Sequence, residues 1–309
     1  MSLIKAEKIS YTYPAFEQGE EQEKAAGERP GKTSPEEKAG KAPEHSATTQ
    51  APAEKRRKAV DSVSLEIEAG QFVCILGRNG SGKSTFARHL NALLYPDEGT
   101  LWIDGMDTRD AGKLWDIRAA VGMVFQNPDN QIVASVVEED VAFGPENIGV
   151  PSDTIREEVD RALSAVRMSE YAKSSPNYLS GGQKQRIAVA GILAMHPRCI
   201  VLDESTAMLD PRGRQEVMST VRRLNKEEGI TVICITHYMD EALEADKIFV
   251  MDKGRAVMEG TPREVFSRAA EIEALGLRLP QICQLASRLY RAGVGIPKGI
   301  ISAEELKKE

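Results

Sequence analysis

The chain has 309 residues and a formal net charge of −7, with 41% hydrophobic and 28% charged side chains. This composition is typical of a soluble globular protein, and the negative charge argues against electrostatic binding of nucleic acid. The longest apolar runs have the length of a strand, and the first ten residues lack the apolar stretch of a secretory signal. We therefore expect a cytosolic protein, whose membrane role would depend on a partner.

The N-terminal region contains a strand and then a segment of different composition. Residues 3–13 predict an edge strand. From Ala15 to Lys58 the side chains are almost all small, polar or charged, with Phe16 as the only large apolar one. Such a segment cannot bury enough apolar surface to offset the entropy lost on ordering, so we expect a disordered surface insertion over residues 15–58. Val63–Glu68 then alternates apolar and polar residues, which predicts a half-buried strand.

The rest of the chain alternates between strand-like and helix-like patterns. Five continuous apolar runs predict strands covered on both faces: VCILG, VGMVF, CIVLD, TVICIT and KIFVMD. A mostly helical stretch separates the second run from the third, with a helix start at Pro151-Ser152-Asp153. Further helices are predicted after Thr261 and around Leu285. The sequence therefore predicts an α/β fold in which a helical insert interrupts a parallel core sheet.

The run Gly77-x-x-x-x-Gly82-Lys83-Ser84 follows an apolar strand and opens a helix. This is the phosphate-loop pattern, in which backbone N–H groups and the helix dipole face an anion. We expect Lys83 to reach the β- and γ-phosphates, Ser84 to ligate Mg²⁺ and Thr85 to add a hydroxyl near the α-phosphate. A chance glycine-rich turn is the alternative, and the flanking strand and helix argue against it.

Two acidic residues, Asp203 and Glu204, follow the apolar run Cys199–Leu202. An enzyme acting on a magnesium nucleotide needs a second metal carboxylate at the end of a neighbouring strand, and Asp203 is placed for that role. Glu204 is placed to polarise an attacking water. If the two acids stood alone, solvated loop charges would be the better interpretation, but here they accompany a phosphate loop.

A second glycine-rich helix start, Leu179-Ser180-Gly181-Gly182-Gln183, lies far downstream of the first. One nucleotide needs only one such phosphate-binding helix start, so the second helix start is expected to bind a different ligand. In chain order the motifs are the phosphate loop, a glutamine after a strand, LSGGQ, the acid pair and a histidine after a strand. This order resembles the ATP-binding cassette (ABC) family over nearly the whole chain outside the insertion.

The resemblance implies a fold and a domain division. The fold is that of a P-loop NTPase cassette with a mostly parallel core sheet, an N-terminal antiparallel β subdomain, a helical insert and a C-terminal helical appendage. The ABC ATPase domain would cover residues 1–260, with the insertion at 15–58 and the helical subdomain with the signature at 127–196. The appendage would cover residues 261–309.

In the ABC family two cassettes face each other head to tail, and each signature covers the nucleotide that the other subunit holds. The resemblance therefore implies that Ser180 and the N–H groups of Gly181 and Gly182 bind the γ-phosphate of an ATP molecule held by a second subunit. Dimer closure would then depend on that phosphate, and hydrolysis would release it.

The remaining roles come from the same resemblance. Gln126 senses Mg²⁺ and the attacking water, His237 contacts the γ-phosphate, and Asp210 communicates across the dimer. Tyr13 stacks on adenine, with Tyr11 as its rival for that role. The implied catalytic residues are Lys83, Gln126, Glu204 and His237, and the implied metal ligands are Ser84, Gln126 and Asp203. The implied nucleotide-binding residues are Tyr13, Gly77, Asn79, Gly80, Ser81, Gly82, Lys83, Ser84, Thr85, Ser180, Gly181, Gly182, Gln183 and Asp210.

The chain departs from the family at Ser205, where a proline is usual. Serine can adopt the backbone angle that proline would fix, at an entropic cost below ~1 kcal/mol. We therefore expect activity to survive. The insertion also departs from the family. It begins just after Tyr13, so it either lies near the adenine or extends into solvent, and we expect solvent.

Within the ABC family, three stretches are similar to the ATPases of energy-coupling factor (ECF) transporters: residues 125–147, 187–194 and 279–286. This similarity implies an ATP-hydrolysing subunit that drives uptake of a vitamin or metal ion. Its partners would be a second cassette subunit, identical or related, a transmembrane scaffold and a membrane substrate-binding subunit. This chain would lie peripherally at the cytoplasmic face of the cell membrane. The alternatives are another class of ABC transporter or a soluble ABC ATPase without a transport role.

The first of these stretches resembles the groove that receives a coupling helix of the scaffold. Its acids Glu138, Glu139 and Asp140 either suit basic residues on that helix or form a solvated face. His89 and His196 match no motif of the family, so we expect them to be structural or solvated. The four cysteines lie in apolar patterns and are expected to be buried thiols.

Overall fold

The computed structural model describes residues 2–14, 57–297 and 299–308. The insertion expected over residues 15–58 therefore lies outside the described residues, apart from its last two positions. The chain divides into two compact units, one of Met1–Tyr11 with Lys58–Glu309 and the other of Thr12–Arg57. The elements below all belong to the first unit.

The strands of this unit, in chain order, are β1 (Ser2–Tyr11), β2 (Val60–Glu68), β3 (Phe72–Gly77), β4 (Glu98–Ile103), β5 (Met106–Asp107), β6 (Val121–Val124), β7 (Cys199–Asp203), β8 (Thr231–Thr236), β9 (Lys247–Asp252) and β10 (Arg255–Gly260). They form two sheets. A four-stranded antiparallel sheet has the order β2-β1-β4-β5, and a six-stranded sheet has the order β10-β9-β3-β8-β7-β6.

The prediction that the first strand lies at a sheet edge is wrong. Strand β1 pairs on both sides, with Ala6 opposite Leu65 of β2 and Leu101 of β4. The second partner, β4, lies about a hundred residues downstream, so no local pattern could reveal it. The alternation predicted for β2 is confirmed, because Val63, Leu65 and Ile67 are buried between exposed neighbours.

The six-stranded sheet contains all five predicted apolar runs. Strands β9, β3, β8, β7 and β6 are mutually parallel, and only β10 runs antiparallel to its neighbour. Every residue of β3, β6, β7 and β8 is buried, as expected when both faces of a sheet are covered. The predicted α/β fold with a mostly parallel core sheet is confirmed.

The helices are α1 (Lys83–Leu90), α2 (Leu114–Ala120), α3 (Val137–Asn147), α4 (Ser152–Ala165), α5 (Gly181–Leu193), α6 (Pro211–Glu228), α7 (Pro262–Ser267), α8 (Ala269–Ala274), α9 (Gln281–Arg291) and α10 (Ala303–Lys308). Helix α4 begins at the predicted position. Helix α7 begins with a reciprocal capping box between Thr261 and Glu264, which satisfies otherwise unpaired N–H groups of the first turn.

Two apolar layers cover the core sheet. One contains residues of α1 and the antiparallel sheet, such as Phe86 and Leu101. The other contains the helical insert, α3–α5, together with the C-terminal helices, so that Leu193 and Cys283 share a cluster with Leu76. All four cysteines are free and buried, as expected. Within the described ranges, no helix has both the length and the apolar character needed to cross a bilayer.

Candidate active site

The phosphate loop connects β3 to α1 at the carboxyl end of the core sheet. Gly82 precedes the helix with φ 101°, in the left-handed region that favours glycine. A Cβ at Gly82 would lie 2.3 Å from the carbonyl oxygen of Ala59. The close approach of Ala59, which immediately precedes β2, therefore requires glycine at this position, independently of any ligand.

The side chain of Lys83 lies at the base of this loop and is only 3% exposed. Its Nζ donates hydrogen bonds to the carbonyl oxygens of Gly77 at 2.9 Å and Arg78 at 3.1 Å. Glu204 Oε1 lies 3.6 Å from the same nitrogen. Burial lowers the pKa of Lys83, and the charge of Glu204 opposes that change. A buried cation is thus held where an anion can reach it.

Ser84 and Asp203 meet at the floor of the site, where Ser84 Oγ donates to Asp203 Oδ1 at 2.7 Å. Asp203 ends β7 and is 8% exposed. Burial raises its pKa, and the hydrogen bond from Ser84 opposes the rise. The pair offers two hard oxygen donors, as Mg²⁺ prefers. Among the described residues no group of three or more His, Cys, Asp or Glu is arranged to hold a metal ion, and Mg²⁺ bound to a nucleotide takes most of its ligands from phosphate and water.

Glu204 has an unusual backbone that its sequence position did not reveal. Its φ of 50° is left-handed, a conformation that costs an L-residue about 1–2 kcal/mol. Its N–H donates to the carbonyl oxygen of Ile235 in β8 at 2.9 Å, and this bond helps to hold the conformation. The carboxylate then lies between two groups, with His237 Nδ1 3.6 Å from Oε2 and Lys83 on the other oxygen.

These groups surround one cavity of about 250 Å³, lined by Asn79, Gly80, Gly82, Lys83, Ser84, Thr85, Gln126, Asp203 and Glu204. Gln126 follows β6 and is exposed. A residue that the sequence did not indicate supports it: Gln185 of α5 donates from Nε2 to the carbonyl oxygen of Phe125 at 3.0 Å. The signature helix is therefore tied to the residue just before Gln126.

The LSGGQ motif forms the start of α5. Ser180 Oγ accepts a hydrogen bond from Gln183 N at 3.3 Å, and Gln183 Oε1 accepts one from Ser180 N at 2.8 Å. A Cβ on Gly182 would lie 3.0 Å from Gly213 Cα, and one on Gly181 would lie 3.2 Å from Leu209 Cδ2. The two glycines thus let α5 pack closely against Leu209, in the loop before α6, and Gly213, in the first turn of α6.

That loop contains Asp210, whose Oδ1 caps α6 by accepting a hydrogen bond from Gly213 N at 3.0 Å. The residues that line the cavity include none of the signature residues 179–183. The two glycine-rich helix starts are therefore separate within one chain, and the LSGGQ motif does not contribute to the cavity of its own phosphate loop.

The two candidate adenine residues lie in different surroundings. Tyr11 packs edge-on against the ring of His89, with ring centroids 5.1 Å apart, and burial lowers the pKa of that histidine. Tyr13 belongs to the unit Thr12–Arg57 and is exposed, so its stacking on adenine stays a prediction. His196 is exposed and lies 2.6 Å from Glu158 Oε2.

Comparison with known proteins identifies the family. The family model described as ABC transporter matches residues 60–207. Energy-coupling factor transporter ATP-binding protein EcfA1 of Clostridium perfringens is 60% identical over 248 residues, which cover 80% of this chain and 88% of that protein. The protein of the same name from Symbiobacterium thermophilum is 62% identical over 250 residues, which cover 81% and 87%. The chain belongs to the energy-coupling factor transporter ATP-binding proteins.

This ECF-type ATPase is therefore an ABC enzyme that binds ATP and couples its hydrolysis to transport. Two solved structures are similar in fold. The structure of cbiO1 from Clostridium perfringens, part of the ABC transporter complex cbiONQ, has a TM-score of 0.69 and 33% identity, covering 93% of this chain and 99% of that one. The ATP-binding cassette MJ0796, in a dimeric post-hydrolysis state bound to ADP and Pi, has a TM-score of 0.64 and 28% identity, covering 84% and 98%. The resemblance stated from the motifs is confirmed, and so is the cassette fold.

Proposed function

We propose that this ECF-type ATPase hydrolyses MgATP in the cavity of the phosphate loop, at a site that the signature of a second cassette completes. The observation that carries the proposal is that Ser180 and its neighbours do not line the cavity of their own chain. A helix start with free N–H groups is a ready anion site. The similar cassette MJ0796 is described as a dimer with ADP and Pi, which supports a facing arrangement.

The residues around the cavity have complementary roles in this proposal. Ser84 and Asp203 would hold Mg²⁺, with Gln126 nearby. Bound there, the ion would neutralise charge on the β- and γ-phosphate oxygens. The ammonium of Lys83 and the N–H groups of the loop would stabilise the same charge from the protein side.

Glu204 is the proposed general base. It accepts a proton from the water whose oxygen bonds to the γ-phosphorus, while the bond from that phosphorus to the bridging oxygen breaks and ADP leaves. Lys83 lies 3.6 Å from this carboxylate. A bound γ-phosphate competes for the ammonium, so nucleotide binding frees Glu204 to face the water. His237, on the other side of Glu204, contacts the γ-phosphate and steadies it.

A membrane partner is proposed to dock where the core meets the helical insert. An open groove of about 480 Å³ lies there, and its lining includes Trp115, which is 65% exposed, and Phe143, which is 52% exposed. The acids considered for this contact are largely engaged within the chain. Glu138 pairs with Arg156 at 3.0 Å and also with Lys173.

The third acid, Asp140, accepts hydrogen bonds from the N–H groups of Val133 and Ala134 at 2.7 and 3.0 Å. Of the three acids, only Glu139 is exposed. We infer that an apolar helix face of the scaffold, rather than a basic one, enters the groove. Such an assembly would hold this chain peripherally at the cytoplasmic face of a membrane. A substrate-binding membrane subunit would then choose the vitamin or metal ion.

Replacing Glu204 by glutamine tests the proposed chemistry. Glutamine keeps the shape of the side chain but cannot accept the proton of water, so we expect turnover to fall by about 10²–10⁴-fold. Binding of MgATP should persist, because the phosphate loop is unchanged. Phosphate release and nucleotide binding are the measurements, with Glu170→Gln on an exposed turn as the matched control. Full steady-state activity in Glu204→Gln would remove Glu204 from the mechanism.

A further inference from the structure

A stack of three side chains lies beside the cavity and is not explained by the mechanism above. The ring of Tyr238 stacks on the imidazole of His237, with centroids 4.3 Å apart and planes tilted by 36°. The guanidinium carbon of Arg214 lies 3.4 Å from the centroid of the same tyrosine ring. A cation within about 6 Å of an aromatic face is attracted by the ring quadrupole. The contact therefore joins α6 to the residues after β8.

Tyr238, the middle member of the stack, and Arg214 are both fixed by the backbone around them. Tyr238 N donates to Thr236 Oγ1 at 2.9 Å, at the buried end of β8. Arg214 lies in the first turn of α6, and its N–H donates to the carbonyl oxygen of Asp210 at 3.0 Å. Its Nε is buried and has no hydrogen-bond partner in the part of the chain that is described. The position of the guanidinium over the tyrosine ring is consistent with this lack of a partner.

His237 itself is weakly held by polar contacts. Its side chain is 41% exposed, and Glu204 Oε2, at 3.6 Å from Nδ1, is farther away than a hydrogen bond requires. An exposed imidazole with one long polar contact can rotate about its side-chain bonds. The tilted stack with Tyr238 is the contact that limits this rotation, and Arg214 in turn holds Tyr238.

We propose that Arg214 and Tyr238 are positioning residues that hold the imidazole of His237 in the orientation needed to meet the γ-phosphate. The proposal rests on the role of His237 proposed above. It also gives the Asp210 loop a physical connection to the active site, since Arg214 follows the residue that Asp210 caps. A change in that loop on contact with a second cassette would reach His237 through two side chains.

Steady-state ATPase kinetics of the full-length chain test this proposal. Arg214→Ala and Tyr238→Ala should each lower kcat by about 2- to 30-fold, the range expected from losing a cation–aromatic contact. The KM for ATP should stay within about twofold, because binding depends on the phosphate loop. Tyr238→Phe keeps the ring and should restore kcat. The double variant Arg214→Ala/Tyr238→Ala should lose no more than the worse single one, because both act through one contact.

Two reference variants make the outcomes distinguishable. Arg212→Ala removes an arginine of the same helix that pairs only with Glu216 among the described contacts, and it should leave kcat unchanged. His237→Ala measures the role of the imidazole itself. If His237→Ala is inactive while Arg214→Ala and Tyr238→Ala keep full kcat, the positioning proposal is wrong and the proposed function stands. If His237→Ala keeps full kcat, the proposed role of His237 is wrong.

A purely structural stack would give a different pattern. The alanine variants would then lose thermal stability, and kcat and KM would change together. Equal losses in Tyr238→Phe and Tyr238→Ala would also contradict the proposal, because the phenylalanine ring preserves the stack. Melting temperatures and MgATP binding, measured on the same preparations, separate these cases.

Discussion

At Asp203, the requirements of the active site and of folding stability oppose each other. The carboxylate is nearly buried, and Ser84 Oγ is the hydrogen-bond donor found for it. Burial raises the pKa of Asp203 above its ordinary value, which means that the charged form is unfavourable in the fold. A divalent cation at this position would offset the cost of burying the charge. The ligand-free protein is therefore less stable than it would be without this carboxylate, which is kept for binding the cation.

The variant Asp203→Asn should therefore unfold less readily than the parent in the absence of nucleotide. Because the pKa of this acid is higher in the folded state than in the unfolded state, the ionised form lowers the free energy of unfolding. The difference between variant and parent should appear as pH rises above about 3.9, the ordinary value for aspartate, and become constant above the raised folded-state pKa. Denaturant unfolding across pH measures it, with exposed Asp116→Asn as the control. A less stable variant at neutral pH would contradict this account, and magnesium-dependent ATPase activity should be lost in either case.

At the scale of single elements, the closest packing joins the start of α5 to the start of α6. The sequence alone explains the glycine pair of LSGGQ by one requirement, the close approach of a phosphate to the backbone. The structure adds a second, because a Cβ on Gly182 would lie 3.0 Å from Gly213 Cα. Gly213 Cα is a backbone atom and a Cβ is fixed to its own backbone, so the contact cannot be relieved without moving α5 or α6.

Gly182→Ala should therefore lower the free energy of unfolding by about 1–3 kcal/mol, the usual result of overpacking. It should also displace the signature, so turnover should fall while binding of ATP to the phosphate loop is retained. Calorimetry and nucleotide titration give the two readouts. Gly295→Ala is the matched control, since a Cβ there meets nothing within 4 Å. An unperturbed melting temperature in Gly182→Ala would show that α5 and α6 can separate freely.

The elements that local sequence predicts well are those whose signals are local. The five apolar runs are the core strands, and helices begin at Ser152 and, after the capping residue Thr261, at Pro262, as predicted. Features that depend on distant residues could not be predicted. Strand β1 is not an edge strand because β4 pairs with its second side. Glu138 forms ion pairs with Arg156 and Lys173, which come close to it only in the folded chain.

The same limit applies to the active site. The motifs gave the identity of its residues, but the left-handed backbone of Glu204 and the bond from Gln185 to Phe125 depend on neighbours from other elements. The stack of Arg214 on Tyr238 joins residues more than twenty positions apart. Their spacing carries no pattern, so only the fold brings them together.

At the scale of the whole molecule, the residues on either side of the insertion are already hydrogen-bonded to each other, at the end of β1 and the start of β2. Ala59 N donates to the carbonyl oxygen of Tyr11 at 2.8 Å, and Tyr11 is in register with Val60. Replacing residues 15–56 by a direct connection leaves six residues between these strands, a length near that of ordinary hairpin loops. We expect the shortened protein to keep its melting temperature and, within about twofold, its ATPase activity. A loss of tenfold or more would show that the insertion takes part in nucleotide binding.

On the proposed function, one chain holds only half of each active site. The signature of each chain would then meet the γ-phosphate held by the other, and MgATP would join the two. Glu204→Gln should trap this state, because we expect it to bind the nucleotide without hydrolysing it. A second change, Ser180→Arg, would block the shared contact and should return the trapped protein to a monomer.

The most direct test is the mass of Glu204→Gln in solution with MgATP, measured by analytical ultracentrifugation alone and together with its companion cassette chain. The account predicts a mass that doubles on addition of MgATP and falls again with ADP. A protein that stays monomeric in MgATP under both conditions would contradict it.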